Sequence, residues 1–342
     1  MTARKLLVAA SILAFALPAY AEEEAKEGEA ATKLAADGSV IRGNANSPWR
    51  GSSLTYEHVT STISFDKGAE LTYNPYYAHT LGVAPRYYLR DDLYVGAALS
   101  LQQELTNSDW TTDYRQWMFS DLNLSAGWSG WQEPVSQIRV TGSLAVALPL
   151  SLVSQASTQI LSVAPAIRIA RNFDVGGNLN VSWNGRWTQR FHSETSPVRD
   201  DCGDCSNPKS LGYLNAWGDF STGPSVVYTV MPQLNLFADM RWSESFLYDN
   251  TTGTEQVMDV ERSYGASDFA AGFDGRYGSY FGLGASYDIV DEATVSATVA
   301  TPSPQLAPDG TRRSPFFNRF TQVGVGLTLN LDPLAARVLQ RN

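Results

Sequence analysis

Ile138-Arg139-Val140-Thr141-Gly142-Ser143-Leu144-Ala145-Val146-Ala147-Leu148 alternates without a break. Ile138, Val140, Gly142, Leu144, Val146 and Leu148 share one face, while Arg139, Thr141, Ser143, Ala145 and Ala147 share the other. A period of two is the signature of a strand. Near the end of the chain, Val323, Val325, Leu327, Leu329 and Leu331 oppose Gly324, Gly326, Thr328 and Asn330 in the same way. Such strands fit a sandwich, with the apolar face on a core, or a barrel, with that face on lipid and the small polar face on a lumen. Alternation alone does not separate the two. Length is consistent with the second. Leu93 to Leu105, Ile138 to Leu148, Val175 to Arg190 and Phe320 to Leu331 each reach or exceed the roughly 9–11 residues of a tilted membrane strand.

The connections decide. Tight turns are predicted near Arg90-Asp91-Asp92, Gln132-Glu133-Pro134, Arg171-Asn172-Phe173, Met231-Pro232-Gln233 and Val290-Asp291-Glu292. Each divides two alternating runs. Between them lie longer stretches rich in Asn, Asp, Ser, Thr, Gly and Pro, at about 66–76, 106–116, 149–157, 191–213, 249–276 and 302–318. Short and long connections alternate strictly. Five turns and six loops require twelve strands, with both termini at the short-turn end. A sandwich has no reason to sort its connections by length.

Aromatic residues gather at strand ends. Tyr87, Tyr88 and Tyr94 flank the first turn, and Trp128 and Trp131 the second. Trp110, Trp117, Trp187, Phe191, Trp242, Phe246, Phe316, Phe317 and Phe320 lie at loop ends. Two girdles of rings at membrane interfaces account for this. Pro85, Pro165 and Pro224 fall mid-strand ten residues before Val95, Val175 and Leu234, a weak hairpin repeat. Proline loses a ladder bond, so a β-bulge is expected at each. The first strand is out of phase with itself. Leu54, Tyr56 and His58 alternate against Val59, Ile63 and Phe65, which predicts a bulge or a late start.

The chain opens as an export signal. Arg4 and Lys5 precede the apolar run Leu6–Leu17, Pro18 breaks it, and Ala19-Tyr20-Ala21 matches a cleavage site. The formal charge is −10, and removing Arg4 and Lys5 with the leader leaves about −12, which argues against nucleic-acid binding. No later run is long and apolar enough for a transmembrane helix. The expected organisation is a signal peptide over 1–21, an acidic tail over 22–53, a barrel over 54–331 and a tail over 332–342.

With this leader, these alternating connections and these girdles, the chain resembles the Gram-negative outer-membrane β-barrels, the class of small porins and transporter-like channels. The resemblance covers roughly residues 54–331. It implies an all-β fold, a closed antiparallel transmembrane barrel of about twelve strands with short periplasmic turns and long extracellular loops. It implies outer-membrane lipid, lipopolysaccharide and the barrel assembly machinery as partners. Such barrels commonly end on an aromatic residue, whereas the last strand here ends near Leu331 and Asp332 to Asn342 follow.

Following the alternation inward places Arg86, Arg139, Arg168, Arg186 and Arg241 in the lumen, with Glu104, Asp121 and Asp239. Wet or paired charges are tolerated there. They predict either a narrow channel favouring small polar or anionic solutes, or an Arg–carboxylate network that fills the barrel and leaves the outer loops to do the work. Cys202 and Cys205 sit in a long loop and are expected to form a disulfide in an oxidising compartment. The acidic stretch 249–276 reads as a solvated surface. No cofactor or metal site is expected, since one Cys pair with His192 is an incomplete ligand set. Ser53, Ser61 and Ser64 lie near His58 without a nucleophile elbow or a matching acid. A lipid-modifying enzyme is therefore the weakest reading, and it requires a Ser or Thr within hydrogen-bond reach of His58 or His79.

Overall fold

The structure is a computed structural model that describes residues 47–62, 77–106, 115–196, 214–248, 277–303, 314, 316–318 and 321–333, with two-residue strands at 33–34, 40–41, 198–199 and 209–210. The leader, Cys202, Cys205 and the acidic loop 249–276 lie outside the described residues.

Twelve strands form one closed antiparallel sheet: β1 (Ser53–Ser61), β2 (Tyr77–Ala84, resuming at Arg86–Arg90), β3 (Leu93–Glu104), β4 (Trp117–Phe119, resuming at Leu122–Gln132), β5 (Arg139–Leu148), β6 (Gln159–Asp174), β7 (Asn178–His192), β8 (Ala216–Met231), β9 (Leu234–Leu247), β10 (Tyr277–Val290), β11 (Ala293–Ser303) and β12 (Gln322–Asn330). Each strand pairs with its neighbours in sequence, and β12 pairs with β1 to close the ring. Closure matters because an open edge in hydrocarbon would leave backbone groups unpaired.

The burial pattern follows the alternation. Leu144, Leu148, Ile167, Ile169, Val181, Leu236, Leu283, Val325 and Leu327 are exposed on the outer face. Thr141, Ser162, Asn180, Ser182, Ser221, Asn235 and Ser286 are buried on the inner one. A soluble protein would carry the reverse. An apolar exterior around a polar interior is the inside-out pattern of a membrane-spanning barrel.

Four expectations need correction. First, the three prolines carry no bulge. β5 and β6 keep one register from Ala147–Ser162 to Arg139–Ala170, through Pro165. β7 and β8 keep theirs from Asn178–Thr229 to Gln189–Gly218, with Pro224 opposite Trp183. Val83–Leu99 and Arg86–Gly96 share one register across Pro85. Proline lacks only its N–H, so one neighbour loses its bonds and the other ladder is untouched. At Pro85 the gap is filled by Ser52. Its Oγ accepts from Arg86 N (2.9 Å) and donates to Arg86 O (3.0 Å). At Pro224 the preceding Gly223 lets β9 come close, since a Cβ there would lie 1.9 Å from Met240 O. The register slips that do occur sit near strand ends, at Tyr88/Arg90, Trp128/Trp131, Gln159/Leu161, Ala216/Gly218, Thr229/Met231 and Asp288/Val290.

Second, over its described residues β1 neither bulges nor starts late, while Ile63 and Phe65 lie outside them. It pairs in one register with β2 and with β12, Leu54 and Tyr56 outward. Third, the β6–β7 turn lies at Val175-Gly176-Gly177, beyond Arg171-Asn172-Phe173. Gly176 has φ +75°, a conformation that costs glycine little and other residues more. Fourth, the first-turn tyrosines split. Tyr87 is exposed on the outer wall and packs on Trp49 (4.9 Å between ring centroids), whereas Tyr88 (7 % exposed) and Tyr94 (2 %) face inward.

The remaining described girdle rings face outward. Trp128 and Trp131 stand at the turn end, and Trp117 and Phe191 at the loop end. Trp187, Trp217 and Phe246 form a loop-end cluster.

Candidate functional site

The inner wall differs from one group of strands to the next. On β5 to β9 it carries Arg139, Arg168, Arg186, Arg190 and Arg241. On β10 to β12 it carries Gly282, Gly284, Ser286, Ser296, Thr298, Gly324 and Gly326. Arg86 stands apart, on β2. All five predicted arginines lie at inward positions; Arg139, Arg168 and Arg186 are on the three consecutive strands β5 to β7, and Arg241 is on β9.

Arg168 is 6 % exposed, and its guanidinium donates to Asn180 Oδ1 (3.0 Å). Asn180 passes a hydrogen bond on to Asn172. Arg139 donates to Gln132 Oε1 (3.4 Å), and Gln132 Nε2 donates to Gln137 Oε1 (2.5 Å). Gln132, Gln137, Arg139, Thr141, Arg168, Asn172 and Asn180 line one recess near the turn end. It holds cations and amides but no carboxylate.

Further along the strands, Arg186 stands within electrostatic reach of Arg241, Arg190 and Asp219. Arg190 pairs with Asp219, which also accepts from Ser245 Oγ (2.6 Å). Asp239 lies beside Arg241 on the same face of β9. The Arg241 guanidinium is 5.9 Å from the Tyr280 ring centroid. Arg86 lies over the Tyr94 ring at 4.4 Å, and Arg50, from the segment before β1, over Tyr88 at 3.6 Å. A cation on a ring face gains about 0.5–2 kcal/mol with no carboxylate needed.

The predicted acids diverge. Glu104 is fully buried on β3 and accepts from Thr106 Oγ1 (2.9 Å). Asp121 falls in the gap within β4 and turns to a loop. It accepts from Ser151 N (2.9 Å) and Ser154 Oγ (2.5 Å), pinning the short helix α1 (Leu152–Ala156) whose N-cap is Ser151. Its carboxylate is engaged in capping that loop.

Sequence reasoning missed Arg190, Asp219 and Glu57. The same inward parity would have found all three. They were passed over because Arg190 and Asp219 lie close to the loop end and Glu57 lies in the strand whose phase was unclear.

Of the histidines, His192 bridges Ser157 O (2.7 Å) and Ala216 O (3.2 Å) at the loop rim. His58 is bonded to the hydroxyl of Tyr56 (2.5 Å). Neither His58 nor His79 has a Ser or Thr hydroxyl bonded to its ring among the described residues, which is the partner that the lipid-enzyme reading requires.

No family model matches this chain, and no curated protein matches it. Among solved structures, it is similar to an outer membrane channel from Pseudomonas putida F1 (12 % identity, 81 % of this chain and 93 % of that one, TM-score 0.49). It is also similar to the KdgM porin in complex with disordered oligogalacturonate (10 %, 81 % and 98 %, 0.42) and to outer membrane phospholipase A from Escherichia coli (17 %, 82 % and 92 %, 0.32). Channels and an enzyme stand side by side at this distance, so function has to be argued from the residues.

Proposed function

We propose that this chain is an outer-membrane channel that passes small polar or anionic solutes. In this reading the short turns face the periplasm and the six long connections face outward. The observation that carries it is the arginine cluster: inward guanidiniums on β5, β6, β7 and β9 of one barrel wall. Fixed cations on a lumen wall attract anions and raise their local concentration. Arg186 and Arg241 set the middle of the path, with Asp239 beside them, while Arg139, Arg168 and Arg86 continue it toward the turn end. Glu104 and Asp121 support the loop end. No catalytic residue is assigned.

Planar-bilayer recording tests this. Folded protein should give single-channel steps, with a reversal potential in a salt gradient that favours anions. R186Q/R241Q should move that reversal potential toward the cation side with the steps retained. Folded protein that gives no steps would overturn the proposal. It would favour the second reading, a filled barrel acting through its loops. The inward rings Tyr88 and Tyr94 and the Arg190–Asp219 pair are the observations on that side.

A further inference from the structure

His58 and His79, 21 positions apart in the sequence, are direct partners across β1 and β2. Directly opposed residues of an antiparallel pair hold their Cβ atoms about 5 Å apart on one face of the sheet. That face is the outer wall, two to three residues from the loop ends of both strands. The ring centroids are 5.6 Å apart, with Tyr77 against His58 (5.8 Å) and Trp117 against His79 (5.4 Å).

Each ring has a nitrogen in use or open in a particular way. His58 Nε2 meets the Tyr56 hydroxyl at 2.5 Å. His58 Nδ1 and His79 Nε2 are buried with no hydrogen-bond partner among the described residues. Two buried unpaired imidazole nitrogens on adjacent strands carry a desolvation cost that a shared ligand would remove.

We propose that His58 Nδ1 and His79 Nε2 bind one divalent transition-metal ion of the zinc class. Zinc–imidazole bonds are about 2.0–2.1 Å, so two rings on one tetrahedral ion hold their centroids about 5 Å apart. The observed 5.6 Å is within a small side-chain adjustment of that. Tyr56 is the positioning residue. A metal on Nδ1 leaves the proton on Nε2, and Nε2–H donates to the Tyr56 oxygen, which fixes the tautomer and the ring plane. The two imidazoles are the protein ligands, and the ion's remaining positions open to water only as the rings turn from their buried positions to bind it. The bound ion ties β1 to β2 beside the seam where the barrel closes on β12, and it stabilises the folded state by mass action.

The test is isothermal titration of zinc into the untagged full chain in detergent at neutral pH. One ion per chain is expected, with binding weakening as pH falls and the imidazoles protonate. H58N and H79N should each weaken binding strongly, and H58N/H79N should remove it. Y56F should weaken it by roughly tenfold or more. Gel heat-modifiability reports that each variant is a folded barrel. Should the variants fail to fold, copper or nickel quenching of Trp117, read as wild type against W117F, tests the same site. No binding at millimolar zinc, no quenching assignable to Trp117, or unchanged affinity in the folded double variant would each overturn the proposal.

Discussion

Individual side chains on the inner wall depend on glycines in the next strand. A Cβ on Gly127 would meet the Tyr94 ring at 2.3 Å, and one on Gly284 the Phe237 ring at 2.2 Å. The aromatic rings lie flat because their neighbours have no side chain. G127V should therefore destabilise the barrel by about 1–3 kcal/mol through overpacking, read as a lower urea midpoint for loss of the heat-modifiable form. In the β4–β5 turn, outside the spanning strands, Glu133 accepts hydrogen bonds from Ser136 and from Val135 N (3.0 Å), which hold its carboxyl below the usual carboxylate pKa. A group whose folded pKa is depressed adds stability above its unfolded pKa and loses it as pH falls through the folded one. The stability difference between wild type and E133Q should thus be present at neutral pH and vanish in acid, measured by unfolding midpoints across that range. At this scale the sequence was legible wherever parity alone decides, as for the arginines. It did not show that His58 and His79 meet, because that depends on the register between two strands, and one residue of slip would have turned one ring to the other face.

Whole elements were read well where turn chemistry and alternation agree, and less well where one signal was taken as sufficient. Arg171-Asn172 looked like a turn, but the β6–β7 ladder runs on to Asp174–Asn178, and the glycine pair beyond it supplies the backbone freedom. The prolines were expected to bend their strands, but each had an outward ring and a neighbour able to do without one set of bonds. β8 sharpens this. Gly223 has no room for a Cβ against Met240 O, whereas Pro224 stands on the outer face. G223A should therefore abolish or severely lower the yield of folded barrel while P224A folds normally, as seen by heat-modifiability. The β5–β6 connection tests the other end of the molecule. Asp121 holds Ser151 and Ser154 at the start of α1, so D121N should make residues 149–157 cleavable by a protease at the loop face. The barrel band itself should remain intact.

For the molecule as a whole, strand count and closure were foreshadowed by connection lengths and parity. The grouping of inward side chains around the ring was not, because it depends on which strands sit side by side and across from one another. The seam carries a consequence of a different kind. Eleven of the twelve strand pairings join neighbours along the chain, but β12 meets β1 across the full length of the barrel sequence, from Asn330–Ser53 to Gln322–Ser61. The entropy of that one closure falls due only when the last strand has been made, and long-range pairing of this kind is slow. Until then β1 and β11 both present bare edges, which aqueous proteins avoid and hydrocarbon does not tolerate. Assembly should therefore be all-or-none, committed only once β12 has paired with β1. A chain lacking β12 should accumulate as protease-sensitive, aggregation-prone material with no partly inserted eleven-stranded form, whereas supplying β12 as a separate peptide should restore the compact species.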